Sequence, residues 1–255
     1  MTRLSTNSAK PESAPRTLAV VLATLGGNLF IIVGSLIFAT LSILFSWVPP
    51  RGRWVFLMAR LWSRGLLAFS GLRLQVSNAA VIESTGCYVF MPNHQSLYDI
   101  PALIASLPVP AFFFAKQSLF RIPVFGWALK AGGFVSIDRE DRSQARKGFE
   151  AAVRNLEQGR STVIFPEGTR SLDGQLLPFE RGGFLLALKS GAAIVPAGIQ
   201  GTLQVRKRGS RKVTPGTITV NYGRPIDISD FNVRLKDELA ETVRQEIASL
   251  AVLEG

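Results

Sequence analysis

The chain has 255 residues, enough for one medium domain with an appendage or at most two small domains. Its formal net charge of +11 calls for an anionic partner to be considered, nucleic acid and membrane being the two usual ones. A lone cysteine, Cys87, excludes an intramolecular disulfide, and a single histidine leaves no ligand set for a structural zinc site, so no metal is predicted.

Residues 1–15 are rich in Ser, Thr, Pro and Ala and read as a disordered tail. Between Arg16 and Arg51 there is no charged residue, and the apolar run between them is long enough to cross a bilayer. A cleavable secretory signal would carry a shorter apolar region. As one straight helix, residues 18–48 would be about 46 Å long against a hydrocarbon core of about 30 Å. Tilt or a break is therefore implied, and "GGN" at 26–28 is the expected weak point. Both flanks are basic, with Arg3, Lys10 and Arg16 before the run and Arg51, Arg53, Arg60 and Arg64 after it. A simple span is basic mainly on its cytoplasmic side, so two basic flanks suggest that both ends return to one anionic surface. Residues 53–71 interleave arginines with Trp54, Phe56, Leu61 and Trp62, the composition of an interfacial amphipathic helix, and "VPPRG" at 48–52 separates the two helices. Residues 16–71 are accordingly read as a two-helix membrane segment, a hairpin dipped into one leaflet, with a single span as the alternative. No acidic residue occurs between Glu12 and Glu83, which favours anionic lipid over nucleic acid as the partner of the basic surface.

From residue 72 the pattern changes. Short apolar runs at 72–76, 87–91, 111–115, 133–137, 161–165, 193–199 and 217–222 read as strands. Helical periodicity lies between and after them, with Ala145, Phe149, Ala152 and Leu156 on one face and Leu235, Leu239, Val243 and Ile247 on another. The alternation predicts an α/β fold over 72–255, a mostly parallel central sheet flanked by helices and preceded by the N-terminal membrane-associated hairpin.

Such sheets bind ligands at the carboxyl ends of their strands. Four predicted strands end on His94, Lys116, Arg139 and the pair Glu167 and Arg170, which converge if the strands are neighbours. His94 is the only histidine, and Asp99 follows five residues later. An imidazole oriented by a carboxylate is suited to removing a proton near neutral pH. Two readings stay open, because "SLYD" (96–99) also fits a capping pattern in which Asp99 starts a helix near Leu97. Likewise "FPEGTRS" (165–171) fits an anion-gripping loop or a turn with a local Glu167–Arg170 pair. The basic run "RKRGSRK" (206–212) fits a solvated loop or a phosphate contact. No Gly-x-Ser-x-Gly elbow exists, so attack by a substrate hydroxyl is favoured over a covalent serine intermediate.

In combination, "NHQSLYD" (93–99), "KQSLFRIPVFGWALKAGGFVSIDR" (116–139), "FPEGTR" (165–170) and "VPAGIQG" (195–201) resemble the four ordered blocks of the glycerolipid acyltransferase family, in particular bacterial 1-acyl-glycerol-3-phosphate acyltransferases. The resemblance covers roughly residues 72–225. It implies acyl transfer from acyl-coenzyme A or acyl carrier protein to a hydroxyl of a lysophospholipid acceptor, giving phosphatidic acid, with no bound cofactor. It makes His94 the general base and Asp99 its orienting partner. Lys116, Arg139 and Arg170 become contacts to anionic substrate groups, Gly168 and Thr169 shape that pocket, and Glu167 holds Arg170 or the loop backbone. Gln117 stands where the family more often has an acidic residue after the lysine. Glycerol-3-phosphate, a lyso-ornithine lipid or another lysophospholipid are alternative acceptors. Other readings are a non-catalytic anionic-lipid-binding protein and a hydrolase using Ser96. The expected location is the cytoplasmic face of the inner membrane, monotopic or single-span, with no nucleic-acid partner.

Overall fold

The computed structural model describes residues 14–48, 51–137 and 142–252. Two long antiparallel helices come first, α1 (Ala14–Phe45) and α2 (Arg51–Phe69). The tail expected over residues 1–15 lies outside the described residues except for Ala14 and Pro15, which open α1. Pro49 and Pro50 of the expected break also lie outside them, and the break itself falls between the two helices.

The expected weak point at 26–28 does not interrupt α1. Those glycines serve a close approach instead. A Cβ on Gly26 would lie 2.7 Å from the carbonyl oxygen of Phe69, and one on Gly27 2.5 Å from Ser70 Oγ. Each glycine costs the helix about 1 kcal/mol of propensity, offset here by close contact with the Phe69 backbone at Gly26 and with the Ser70 side chain at Gly27. Phe30 stacks on Phe69 at 5.0 Å and Phe45 on Trp54 at 6.0 Å, so an aromatic pair sets the register at each end of the hairpin. Leu18, Leu22, Leu25, Leu29, Ile32 and Leu36 recur at alternating spacings of four and three and are all exposed, forming one unpartnered apolar stripe along α1.

The strands and remaining helices follow as β1 (Leu72–Ser77), β2 (Tyr88–Pro92), α3 (Asp99–Ser106), β3 (Ala111–Lys116), α4 (Phe125–Ala131), β4 (Val135–Ile137), α5 (Arg142–Glu157), β5 (Ser161–Val163), α6 (Arg181–Ser190), β6 (Ala193–Gln200), α7 (Thr202–Val205), β7 (Gly216–Tyr222) and α8 (Lys236–Val252). All seven expected strands form, in the order β1-β7-β6-β2-β5-β3-β4. Every pairing is parallel except β6 with β7. Strands β4 and β5 are shorter than the apolar runs that announced them, because Phe134 and Phe165 leave the sheet to stack on Phe113 and His94.

Alternation along the strands divides the core into two layers. Tyr88, Phe90, Phe113 and Val195 face the layer that holds α3 and the inner side of α2. Val89, Met91, Phe112 and Ile194 face the layer of α5, α6 and α8. The hairpin therefore shares a core with the sheet: Phe56, Leu66 and Leu67 are buried with Tyr98 and Leu103. Adjacent strands β2 and β5 feed helices on opposite layers, α3 and α6. That divergence opens a crevice at their carboxyl ends, where ligands bind in sheets of this kind.

Candidate active site

The crevice is occupied by the turn 93–98 after β2 and the loop 164–180 after β5. His94 is held from four directions. Its ring Nδ1 lies 2.7 Å from Asp99 Oδ2. The ring stacks on Phe165 with centroids 3.8 Å apart and planes 20° from parallel. Its backbone N–H donates to Glu167 Oε1 at 2.7 Å, and its carbonyl accepts from the Ser171 N–H at 2.8 Å. The His94 side chain is 14% exposed while that of Asp99 is fully buried.

Asp99 Oδ2 also accepts the backbone N–H groups of Gln95 and Ser96, at 2.7 and 2.8 Å. An Oδ2 already fixed as the acceptor of two backbone N–H groups pairs with a protonated Nδ1, which leaves Nε2 as the basic nitrogen of the neutral imidazole. The capping reading gives way to the orienting one: α3 starts at Asp99 itself, with Tyr98 at the N-cap position and no side-chain cap. The Asp99 bond to the Ser96 N–H closes the turn ahead of the helix, while its bond to His94 orients the ring. Ser96 is buried, and its hydroxyl donates to the Arg206 carbonyl at 2.7 Å while accepting the Tyr98 N–H at 3.4 Å. That placement makes Ser96 a clasp and takes it out of contention as a nucleophile.

Glu167 bridges the two loops. Besides the His94 N–H it accepts the Leu177 N–H on Oε2 at 2.9 Å. Burial pushes its carboxyl above the ordinary value, opposed by those two backbone donors. The local Glu167–Arg170 pair is replaced by these backbone bonds. Gly168 sits at φ +68°, the left-handed conformation that lets the loop turn sharply after Glu167. Thr169 is exposed and Arg170 half-buried beside it.

Arg170 lines a cavity of about 230 Å³ together with Leu97, Arg206, Lys207, Ser210 and Arg211. Burial, and then the nearby Arg208 and Arg206, lower the Arg170 pKa, while the Asp99 carboxylate opposes the shift. Cations crowded at the mouth of a partly dry cavity favour an anionic occupant. Sequence reasoning left the 206–212 run between two alternatives, and its place beside Arg170 was not read. That place follows from the antiparallel pairing of β6 with β7: β6 ends at the carboxyl edge, β7 starts there, and the connection between them stays at that edge. The loop rests on α1, where Asn28 Nδ2 donates to the Arg211 carbonyl at 3.1 Å and the Val213 N–H to Thr24 Oγ1 at 2.9 Å.

Two further residues were not singled out from sequence. Phe165 fixes the imidazole plane, signalled only by an aromatic residue just before "PEG". Asn93 exchanges hydrogen bonds with the backbone of Ile199, at 3.0 and 2.6 Å, tying the turn to β6. Lys116 is exposed on the same sheet edge, one strand beyond β5, and does not line the basic cavity. Arg139 lies outside the described residues. A larger cavity of about 730 Å³, lined by Phe56, Val109, Phe134 and Arg160, lies at the opposite, amino edge of the sheet. Among the described residues no group of three or more His, Cys, Asp or Glu could hold a metal.

The acyltransferase family model matches residues 73–200, which span β1 through β6 and carry both loops of the crevice. The chain belongs to the acyltransferase family. Relatives within it include the 1-acyl-sn-glycerol-3-phosphate acyltransferase of Salmonella typhimurium, 31% identical over 219 residues, 84% of this chain and 87% of that protein. The chloroplast enzyme of the same name from Arabidopsis thaliana is 32% identical over 202 residues, 78% of this chain and 55% of that protein. The chain spans about half the length of the plant and algal relatives it matches. The fold is also that of the crystal structure of the 1-acyl-sn-glycerophosphate acyltransferase from Thermotoga maritima, with a TM-score of 0.81, 24% identity, and 94% and 99% of the two chains covered.

Proposed function

We propose that this acyltransferase transfers a fatty acyl group from acyl-coenzyme A or acyl carrier protein to the free hydroxyl of 1-acyl-glycerol-3-phosphate, giving phosphatidic acid. The observation that carries the reading is the oriented His94–Asp99 pair beside the cationic cavity at Arg170. The names of the relatives support the choice of acceptor.

In this reaction the acceptor phosphate sits against Arg170 and the 206–211 loop, which directs the glycerol hydroxyl toward His94. His94 Nε2 takes the hydroxyl proton as the oxygen attacks the thioester carbonyl carbon. Asp99 stabilises the imidazolium across the 2.7 Å hydrogen bond. Collapse of the tetrahedral intermediate breaks the C–S bond, and the departing thiolate recovers the proton from His94. The thioester is already activated, so alignment, proton transfer and charge stabilisation suffice without a resident cofactor. Thr169 and Gly168 shape the loop around the phosphate. Lys116 serves anionic substrate groups further along the edge, and Arg139 retains the same assignment from its motif.

The exposed apolar stripe of α1 anchors the catalytic unit on a membrane, where both the acceptor and the product reside. Within Thr17–Phe45 the most apolar window has a mean hydropathy of 2.3, with only 17% of it buried. The basic surface faces the anionic leaflet on the cytoplasmic side, where both acyl donors are found. The deciding experiment supplies the purified full chain in vesicles with labelled acyl donor and a panel of acceptors: lysophosphatidic acid, glycerol-3-phosphate, lyso-ornithine lipid and other lysophospholipids. Lysophosphatidic acid is expected to be the preferred acceptor, and His94→Ala to lose at least about 100-fold in kcat. Retained turnover in His94→Ala would sink the mechanism.

A further inference from the structure

The segment between β3 and β4 carries an apolar surface that the reaction does not use. Leu119, Ile122 and Trp127 are 38%, 46% and 57% exposed. Leu119 lies in a 3₁₀ turn, Gln117–Arg121, Trp127 in α4, and Ile122 in the link between them, and the turn and helix pack together as one wedge. A Cβ on Gly126 would lie 2.3 Å from the Phe120 carbonyl oxygen, so no larger residue fits between the two pieces. A tight turn at Pro123–Phe125, closed by a 2.7 Å bond from the Phe125 N–H to the Pro123 carbonyl, holds Val124 at φ +64°. A β-branched residue adopts that conformation only under strain. Ile122 and Pro123, which lead into that turn, are exposed.

Helix α4 packs against α1, so the wedge adjoins the helix that carries the apolar stripe. Exposed cations, Arg121 and Lys130, interleave with its apolar residues. No acidic residue occurs between Asp99 and Asp138. An apolar tip with a basic rim, beside an anchoring helix, matches the acyl boundary and anionic headgroups of a bilayer.

We infer that the 117–131 wedge is a second membrane-contact element, in which Leu119, Ile122 and Trp127 enter the headgroup–acyl boundary of an anionic bilayer alongside α1. The inference rests on the membrane-anchor reading of α1. With two contacts the catalytic unit is fixed in rotation as well as in height, because one helix alone leaves it free to roll about the helix axis.

The test uses the full chain in vesicles of phosphatidylethanolamine and phosphatidylglycerol. Nitroxide labels are placed one at a time by Leu36→Cys on α1, Trp127→Cys on the wedge and Val233→Cys near α8, over Cys87→Ser. Serine there can keep the hydrogen bond to the Leu156 carbonyl. The inference expects the labels at 36 and 127 to relax with oxygen and resist an aqueous nickel chelate, and that at 233 to do the reverse. Lipid exposure at 36 with water exposure at 127 overturns the wedge and leaves the anchor standing; water exposure at both overturns both. Protection at 127 from oxygen and nickel alike points to a protein partner or a second copy, and also overturns it. A second measurement keeps the natural residue: brominated acyl chains should quench wild-type tryptophan emission more than that of Trp127→Phe. Ile122→Ser with Trp127→Ser should weaken partition into these vesicles about tenfold. Turnover of that variant in mixed micelles should match wild type. Equal quenching, or unchanged partition, counts against the wedge.

Discussion

Replacing Glu167 with Gln preserves the shape of the side chain and removes one of its two acceptors. In the native loop Oε1 accepts the His94 N–H at 2.7 Å and Oε2 the Leu177 N–H at 2.9 Å. A glutamine can satisfy one of these; its amide nitrogen must then face the other buried N–H. The lost charge-assisted bond is worth about 1.5–3 kcal/mol, and the stranded donor costs about 1–3 kcal/mol more. Relief of the carboxylate's burial penalty offsets part of that sum, leaving a net destabilisation of about 2 kcal/mol. For a chain of this size the melting temperature should fall by about 4–8 °C. Activity should suffer more than stability, because the His94 backbone loses its tether to the β5 loop and a misplacement of about 1 Å can cost about 100-fold. Thermal melts and kcat/KM on vesicle-borne acceptor, measured on the same preparations, provide the check. A variant that melts within 1 °C of wild type and keeps kcat/KM within about twofold would refute the bridging role.

Because burial raises the Glu167 pKa above its ordinary 4.5, the native state holds that proton more tightly than the unfolded chain does. Stability should therefore fall as pH rises from about 4.5 through the raised value, and urea titrations across that window should show a slope that Glu167→Gln lacks. Lys207→Ala removes a cation from the cavity and spares the Arg206 side chain, which braces the loop through the Ser210 carbonyl at 2.8 Å, so KM for the phosphate-bearing acceptor should rise about tenfold with little change in kcat. Combined with Arg170→Ala, it should also flatten the dependence of KM on salt. Gly27→Val should lower the melting temperature by about 4–8 °C, since its Cβ would meet Ser70 Oγ at 2.5 Å and the Tyr98 hydroxyl at 3.1 Å. Gly52→Ala, whose Cβ would meet nothing within 4 Å, is the control.

The strands were legible because each is a short apolar run bounded by turn residues, and their carboxyl ends pointed to the candidate site. The ends of β4 and β5 were not, since Phe134 and Phe165 are as apolar as strand residues but are claimed by ring partners. Periodicity could not anticipate that α1 would pass straight through Gly26 and Gly27. The value of a bare backbone there depends on Phe69 and Ser70, which are more than forty positions away. His94 and Asp99 were readable as a pair, whereas Glu167 was expected to hold either Arg170 or its loop. A carboxylate beside an arginine in sequence says nothing about competing N–H groups on another loop. The 206–212 cluster was visible as charge, and its meaning came only from the antiparallel turn between β6 and β7, which keeps it at the edge beside Arg170.

That turn has a practical consequence for anyone shortening the gene. The cationic loop is shelved on α1 through Thr24 and Asn28, and the Tyr98 hydroxyl, one residue from Asp99, bonds Ser70 Oγ at the foot of the hairpin at 2.8 Å. A soluble version made by deleting residues 1–48 would lose the shelf along with the anchor. Solubility should instead be sought by recolouring the outward stripe, Leu18 to Leu36, with polar residues while Thr24, Gly27 and Asn28 are kept.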